Sequence, residues 1–165
     1  MGFDPATGSL LRVGIDDPAR PDVFALLEEH LRNMHQLSPP ASVHALDVSQ
    51  LQRPEVTFWS VRDGAGALLG CGALQELDPG HGEVKSMRTP QSARRKGAGR
   101  AVLAHIVEVA RQRGYARLSL ETGSMEAFKP AWRLYESFGF QHCGPFADYT
   151  LDPYSVFMTL ELRRV

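Results

Sequence analysis

Cysteine is scarce, with only Cys71 and Cys143 in a chain of 165 residues. Two thiols make neither a disulfide framework nor a cysteine-based metal cluster. Both fall in strand-like sequence, which predicts buried thiols and fits a reducing, cytoplasmic setting. Long apolar runs are missing too: none approaches the ~20 residues that span a bilayer, so no membrane segment is expected. The opening Met1 to Thr7 lacks the basic start and apolar stretch of a secretory signal, and Ala6 stands where myristoylation wants Ser or Thr. Charge of one sign is not in excess either, since the net charge is -1, and this argues against a general nucleic-acid binder. No repeat, low-complexity tract or linker interrupts the chain, so residues 1–165 read as a single domain.

What the chain does have is one dense basic stretch. Lys85 to Arg100 carries six basic residues and no acid in sixteen positions. It contains Arg94-x-x-Gly97-x-Gly99 and runs straight into an apolar pattern of helical period. A strand, a glycine turn and a helix N-terminus in that order suit a phosphorylated ligand. Glycine lets the backbone come close, while the free N–H groups and positive dipole end of the helix face the anion. No Gly-Lys-Ser/Thr follows, so this is not a P-loop, and the third glycine of a dinucleotide fingerprint is absent.

Ser9 to Ile15 reads as a first strand, ended by Asp16, Asp17 and Pro18. Val23, Phe24, Leu27, Leu31 and Met34 recur at helical spacing and predict a helix from about Pro21 to Asn33. Val43 to Leu51 suggests a short second helix with Ser42 as its N-cap. Val56–Val61 and Ala67–Gln75 read as strands joined by a turn at Asp63–Gly66. Glu83–Thr89, Arg117–Glu121, Phe140–Cys143 and Ser155–Leu162 supply the remaining strands. Gly99–Arg113 is a helix with Val102, Leu103, Ile106, Val107 and Ala110 on one face and Gly114 as its stop, and Pro130 opens another that runs to Gly139. The central hairpins exclude a purely parallel sheet, while the unit from Glu83 to Glu121 needs one parallel pair. The expected fold class is α/β (α+β): a mixed, mostly antiparallel sheet of about seven strands with helices on both faces.

Two motifs now carry a resemblance. Arg94-Arg95-Lys96-Gly97-Ala98-Gly99 matches an acetyl-CoA turn, and Ala131-x-x-Leu134-Tyr135-x-x-x-Gly139-Phe140 follows in the expected order. Over residues 56 to 162 the chain resembles the GCN5-related N-acetyltransferases, the GNAT superfamily, whereas the N-terminal third matches in helix content alone. Many family members have Asn three residues before the Ala of the second motif; here Phe128 stands there, which puts the usual amide contact in doubt or passes it to Thr122 or Ser124.

The resemblance implies a GNAT fold and an acetyl-CoA-dependent N-acetyltransferase acting by direct attack in a ternary complex. It implies that the backbone of Gly97, Ala98 and Gly99 binds the CoA pyrophosphate while Arg94, Arg95, Lys96 and Arg100 reach its phosphates. It further implies that the backbone of Met87, Arg88 and Thr89 pairs with the pantetheine arm, an N–H near Met87 polarising the thioester carbonyl. Tyr135 matches the family's general acid for the departing thiolate; a core aromatic is its alternative. An attacking amine must first lose its proton, and Glu83, sharing a strand face with Lys85 and Met87, is the first candidate base, with Glu121 the second. For either carboxylate the alternative is an ion pair with Lys85 or a surface position, and for Glu121 a contact with the substrate as well.

His30, His35 and His44 lie at spacings of 5 and 9, which share no helical face, so with Asp47 they make no expected metal site. Trp59 and Trp132 read as packing residues. The acidic loop Ala147–Asp152 attracts a cationic acceptor or is a solvated turn. The acceptor is open between a small-molecule and a peptide amine, and so is the oligomeric state, a homodimer included. Two rivals remain: a non-catalytic acyl-CoA sensor of the same fold, and a nucleic-acid or nucleotide module using the basic loop.

Overall fold

The computed structural model describes residues 2–4, 9–44, 46–90, 93 and 97–162, with residues 2–4 and 9 described by their backbone alone. The elements run β1 (Gly2–Asp4), β2 (Ser9–Ile15), α1 (Pro21–Leu37), a 3-10 turn at Pro40–Ser42, α2 (Val48–Leu51), β3 (Val56–Arg62), β4 (Leu68–Asp78), β5 (His81–Arg88), α3 (Ala98–Gln112), β6 (Arg117–Gly123), α4 (Lys129–Ser137), β7 (Gln141–Cys143) and β8 (Ser155–Glu161). Among the described residues the strands form one sheet in the order β1-β2-β3-β4-β5-β6-β8-β7. All neighbours are antiparallel except β5 and β6, the pair that the α3 crossover makes parallel. The short β1, paired to β2, adds an eighth strand to the seven expected.

Helices cover both faces. On one, Val102, Leu103, Ile106 and Val107 of α3 and Tyr135 of α4 pack with Trp59, Val61, Leu74, Leu118 and Leu120. On the other, Val23, Leu26 and Leu27 of α1 and Leu51 of α2 pack with Phe58, Cys71 and Ala73. A Cβ on Gly72 of β4 would stand 2.8 Å from Met87 Sδ and 3.1 Å from Ile106 Cδ1, so only glycine lets α3 approach this closely.

Three expectations need correction. Ser42 caps no helix, because its hydroxyl donates to Asp152, 110 residues away, and Val43 is extended. The second helix instead begins at Val48, where Asp47 and Gln50 form a reciprocal capping box. Helix α1 runs to Leu37 rather than Asn33 and ends where Ser38 turns extended ahead of two prolines. Cys71 is buried, but Cys143 is exposed, because β7 is an edge strand with all three of its residues in solvent.

Candidate active site

The parallel pairing of β5 with β6 stops early. His81, Gly82 and Glu83 pair with Arg117, Leu118 and Ser119, and there the ladder ends. Beyond it β5 stays with β4 as far as Arg88, while β6 stays with β8 as far as Gly123. The cause lies in β5. Cys71 pairs with Arg88 and Ala73 with Lys85, so Ser86 and Met87 together face the single Gly72, and Ser86 takes a left-handed φ of 56°. A bulge of this kind bends its strand and adds twist. The result is a wedge between two strand edges that no longer pair with each other.

At the root of the wedge His81 Nε2 and Ser119 Oγ lie 2.6 Å apart, and Thr159 Oγ1 is 3.1 Å from that serine. Next along the same face come Glu83 and Lys85 of β5 and Glu121 of β6, because alternate strand residues share a face. Glu83 is 3% exposed. Lys85 Nζ donates to Glu83 Oε2 at 3.1 Å and to the Tyr149 hydroxyl at 2.9 Å, and that hydroxyl donates to Glu83 at 2.5 Å. The three groups satisfy one another, and the Tyr149 phenol is pushed well above its ordinary pKa, by burial first and then by the Glu83 carboxylate.

Glu121 is differently placed. Its contact among the described residues is a hydrogen bond from Ser155 Oγ at 2.7 Å. Burial, reinforced by the Glu83 and Asp152 carboxylates, raises its pKa to about 7. A carboxylate in that range exchanges a proton near neutral pH, as a general base must. Tyr135, from α4 on the opposite face, is buried; its pKa is raised above the ordinary value by burial and then by the Glu121 charge. It therefore stays protonated at neutral pH.

At the far end of the wedge α3 begins. Gly97 is its N-cap with φ 82°, and among the described residues no side chain caps this helix start. Thr89 Oγ1 lies 3.6 Å from a Cβ built on Gly70 and 3.9 Å from one built on Gly99, which brings the end of β5 against this helix start. Arg94, Arg95 and Lys96 lie outside the described residues. Arg100 leans on α4: Nη2 reaches Ser137 Oγ at 3.3 Å and the guanidinium stands 5.4 Å from the Phe138 ring centre. The side chain of Arg88 turns to α1, where Nη2 donates to Glu29 Oε1 at 2.9 Å. Met87 points its sulfur at Gly72 under α3.

Phe128 packs against Gly123, where a Cβ would meet its ring at 2.2 Å. The neighbouring Trp132 donates from Nε1 to the Gly123 carbonyl at 2.9 Å. The Ser124 hydroxyl donates to the Pro153 carbonyl at 2.6 Å. Among the histidines of the N-terminal region, His35 is exposed, His44 meets the Tyr149 ring edge-on with centroids 4.9 Å apart, and His30 is partly buried. Among the described residues no cluster of three His, Cys, Asp or Glu could hold a metal ion. The chief residue that sequence reasoning missed is Tyr149. The acidic loop drew attention through its charges, yet its tyrosine is what enters the site, wedged between Phe146 and Phe157.

A model of the acetyltransferase (GNAT) family matches residues 22–140. The uncharacterised N-acetyltransferase YsnE of Bacillus subtilis (strain 168) is 58% identical over 152 residues, which cover 92% of this chain and 100% of that protein. The uncharacterised N-acetyltransferase YedL of Escherichia coli (strain K12) is 49% identical over 153 residues, covering 93% and 96%. A solved structure from Klebsiella pneumoniae, described as a candidate acyl-CoA N-acyltransferase, has a TM-score of 0.78 at 31% identity and covers 93% of this chain and 99% of that one.

Proposed function

The chain belongs to the acetyltransferase (GNAT) family, and we propose that it moves the acetyl group of acetyl-CoA to a primary amine by direct attack in a ternary complex. The observation that carries this reading is Glu121, a carboxylate with a pKa raised to about 7 inside the wedge between β5 and β6. The wedge fits an acyl-CoA: it offers an unpaired strand edge for the pantetheine amides and an uncapped helix start, with a left-handed glycine, for the pyrophosphate. The co-substrate supplies an acyl group activated as a thioester.

The chain's own groups then divide the work. The backbone of Met87, Arg88 and Thr89 aligns the arm, and the Met87 N–H supports the negative charge that develops on the carbonyl oxygen, a contribution of roughly 2.7–4 kcal/mol per donor. Glu121 takes the proton of the incoming ammonium, directly or through water. Glu83 is held by Lys85 and Tyr149, which fits a wall of the acceptor pocket better than a free base. Tyr135 returns a proton to the thiolate. Gly97, Ala98 and Gly99, with Arg94, Arg95, Lys96 and Arg100 around them, hold the phosphates. A sensor of the same fold would bind acetyl-CoA and release no thiol on any amine.

The test is thiol release from acetyl-CoA over a panel of amines, followed across pH. In the wild type kcat/KM should rise through an ionisation near 7. Glu121→Gln should lose that limb and fall by about 10²–10⁴. A variant that keeps both rate and limb contradicts the assignment.

A further inference from the structure

Four buried side-chain atoms have no hydrogen-bond partner among the described residues: His30 Nδ1, Arg62 Nε, Ser86 Oγ and Arg88 Nε. Leaving a buried donor unmatched costs about 1–3 kcal/mol, so each asks for a reason. Arg62 has one. Its two terminal nitrogens bind Asp16 at 3.1 Å and Asp22 at 2.7 Å, and its charge is fully answered. Arg88 differs. It meets one carboxylate, Glu29, whose side chain is 41% exposed and takes only Nη2, while the Arg88 side chain itself is 14% exposed. His30 follows Glu29 in α1, and the nearby Arg88 charge adds to burial in lowering the His30 pKa to about 4, so the imidazole is neutral and one ring nitrogen is a donor. Ser86 stands in the bulge two residues before Arg88.

From this pairing, and resting on the transferase reading above, we infer that His30 and Arg88 form an anion subsite on the acceptor side, so that the acceptor is an amine that also carries a carboxylate. Arg88 ends β5 beside the bulge, on the α1 face that also holds Glu83 and Lys85. A carboxylate seated there accepts from Arg88 Nε and, with the ring proton on Nδ1, from His30, two of the four buried atoms left unmatched among the described residues. Charge-assisted bonds of this kind are the stronger class, and a site built to make them rejects analogues that lack the partner. The amine end of the same molecule is then directed back toward the wedge and Glu121. Glu29, the carboxylate paired with Arg88, opposes the anion, and its exposed position lets it lean into solvent.

Two readouts separate the subsite from the reaction. In the first, the full-length protein is titrated with N-acetylglycine and, separately, N-acetylglycinamide, and the His30 ring is followed by NMR. The acid should shift the ring saturably and raise its pKa by at least one unit; the amide should do neither. Arg88→Met should abolish the response, and Arg88→Lys should restore part of it, which guards against a variant that merely misfolds. In the second, glycine, β-alanine and 4-aminobutyrate are compared as acceptors with their amides. The best acid should show a KM at least tenfold below its amide, a gap that Arg88→Met erases. Equal response of His30 to acid and amide, or no response to either, overturns the subsite even if acetylation proceeds. Response to the acid without thiol release on any amine keeps the subsite and overturns the transfer reading.

Discussion

On one side of the sheet the strands meet α3 and α4 through Trp59, Val61, Leu74, Val84, Leu118 and Leu120, and glycines in β4 let the helix come close. On the other side the same β5 and β6 present His81, Glu83, Lys85, Ser119 and Glu121, and the cover is α1, α2 and the loop that carries Tyr149. Over β5 and β6 the first side is held by shape and the second by paired charges and hydrogen bonds, while α1 and α2 pack on β3 and β4 through an apolar cluster of their own. Position in a strand decides which residue goes where: Val84 and Glu83 are neighbours in sequence yet belong to opposite chemistries.

The largest effect should come from crowding the apolar side. Gly72→Val places a side chain within 2.8 Å of Met87 Sδ and 3.2 Å of Val102 Cγ2, and overpacking of this order costs about 3 kcal/mol. Urea unfolding should show the same loss at pH 6 and pH 8, because no titrating group is touched. Next is Tyr135→Phe, which removes the hydroxyl proposed as the proton donor. It should lower kcat about 100-fold and leave the Kd for acetyl-CoA unchanged within a factor of two. Weakened binding with normal turnover would make Tyr135 a packing residue.

The smallest and opposite effect belongs to the polar side. The folded-state pKa of Glu121, about 7, lies above its ordinary 4.5, so folding favours the protonated carboxyl. That stabilisation is complete below pH 4.5 and is lost as the pH rises through 7. Glu121→Gln keeps a neutral acceptor for Ser155 and escapes the loss. It should be about 2 kcal/mol more stable than wild type at pH 8 and nearly equal to it at pH 5, read as Tm with roughly 2–4 °C for each kcal/mol. An advantage that does not grow with pH would break the contrast between the two faces.

The apolar side was open to reading because its signals are local. The stripe of Val102, Leu103, Ile106 and Val107, the glycine turn before it and Gly114 after it all lie within one stretch of chain. The parallel β5–β6 pair followed from the crossover alone. The polar side resisted because its contacts are long-range. Tyr149 reaches Glu83 from 66 residues away, and Ser42 gives its hydroxyl to Asp152 rather than to the helix it seemed placed to cap. Neither link has a periodicity. Glu121 could be named as a candidate from its place on the strand, but its ranking against Glu83 depended on which of the two finds Lys85. Cys143 was misjudged for a related reason, since strand pattern does not say which strand forms an edge.

The most direct test of the central claim is a calorimetric titration of the folded protein with acetyl-CoA, with dephospho-CoA and ATP as controls. Binding of acetyl-CoA at one saturable site, weakened for dephospho-CoA and absent or far weaker for ATP, is the result expected of a wedge and helix start built for the whole co-substrate. No binding of acetyl-CoA, or equal binding of all three, would contradict it.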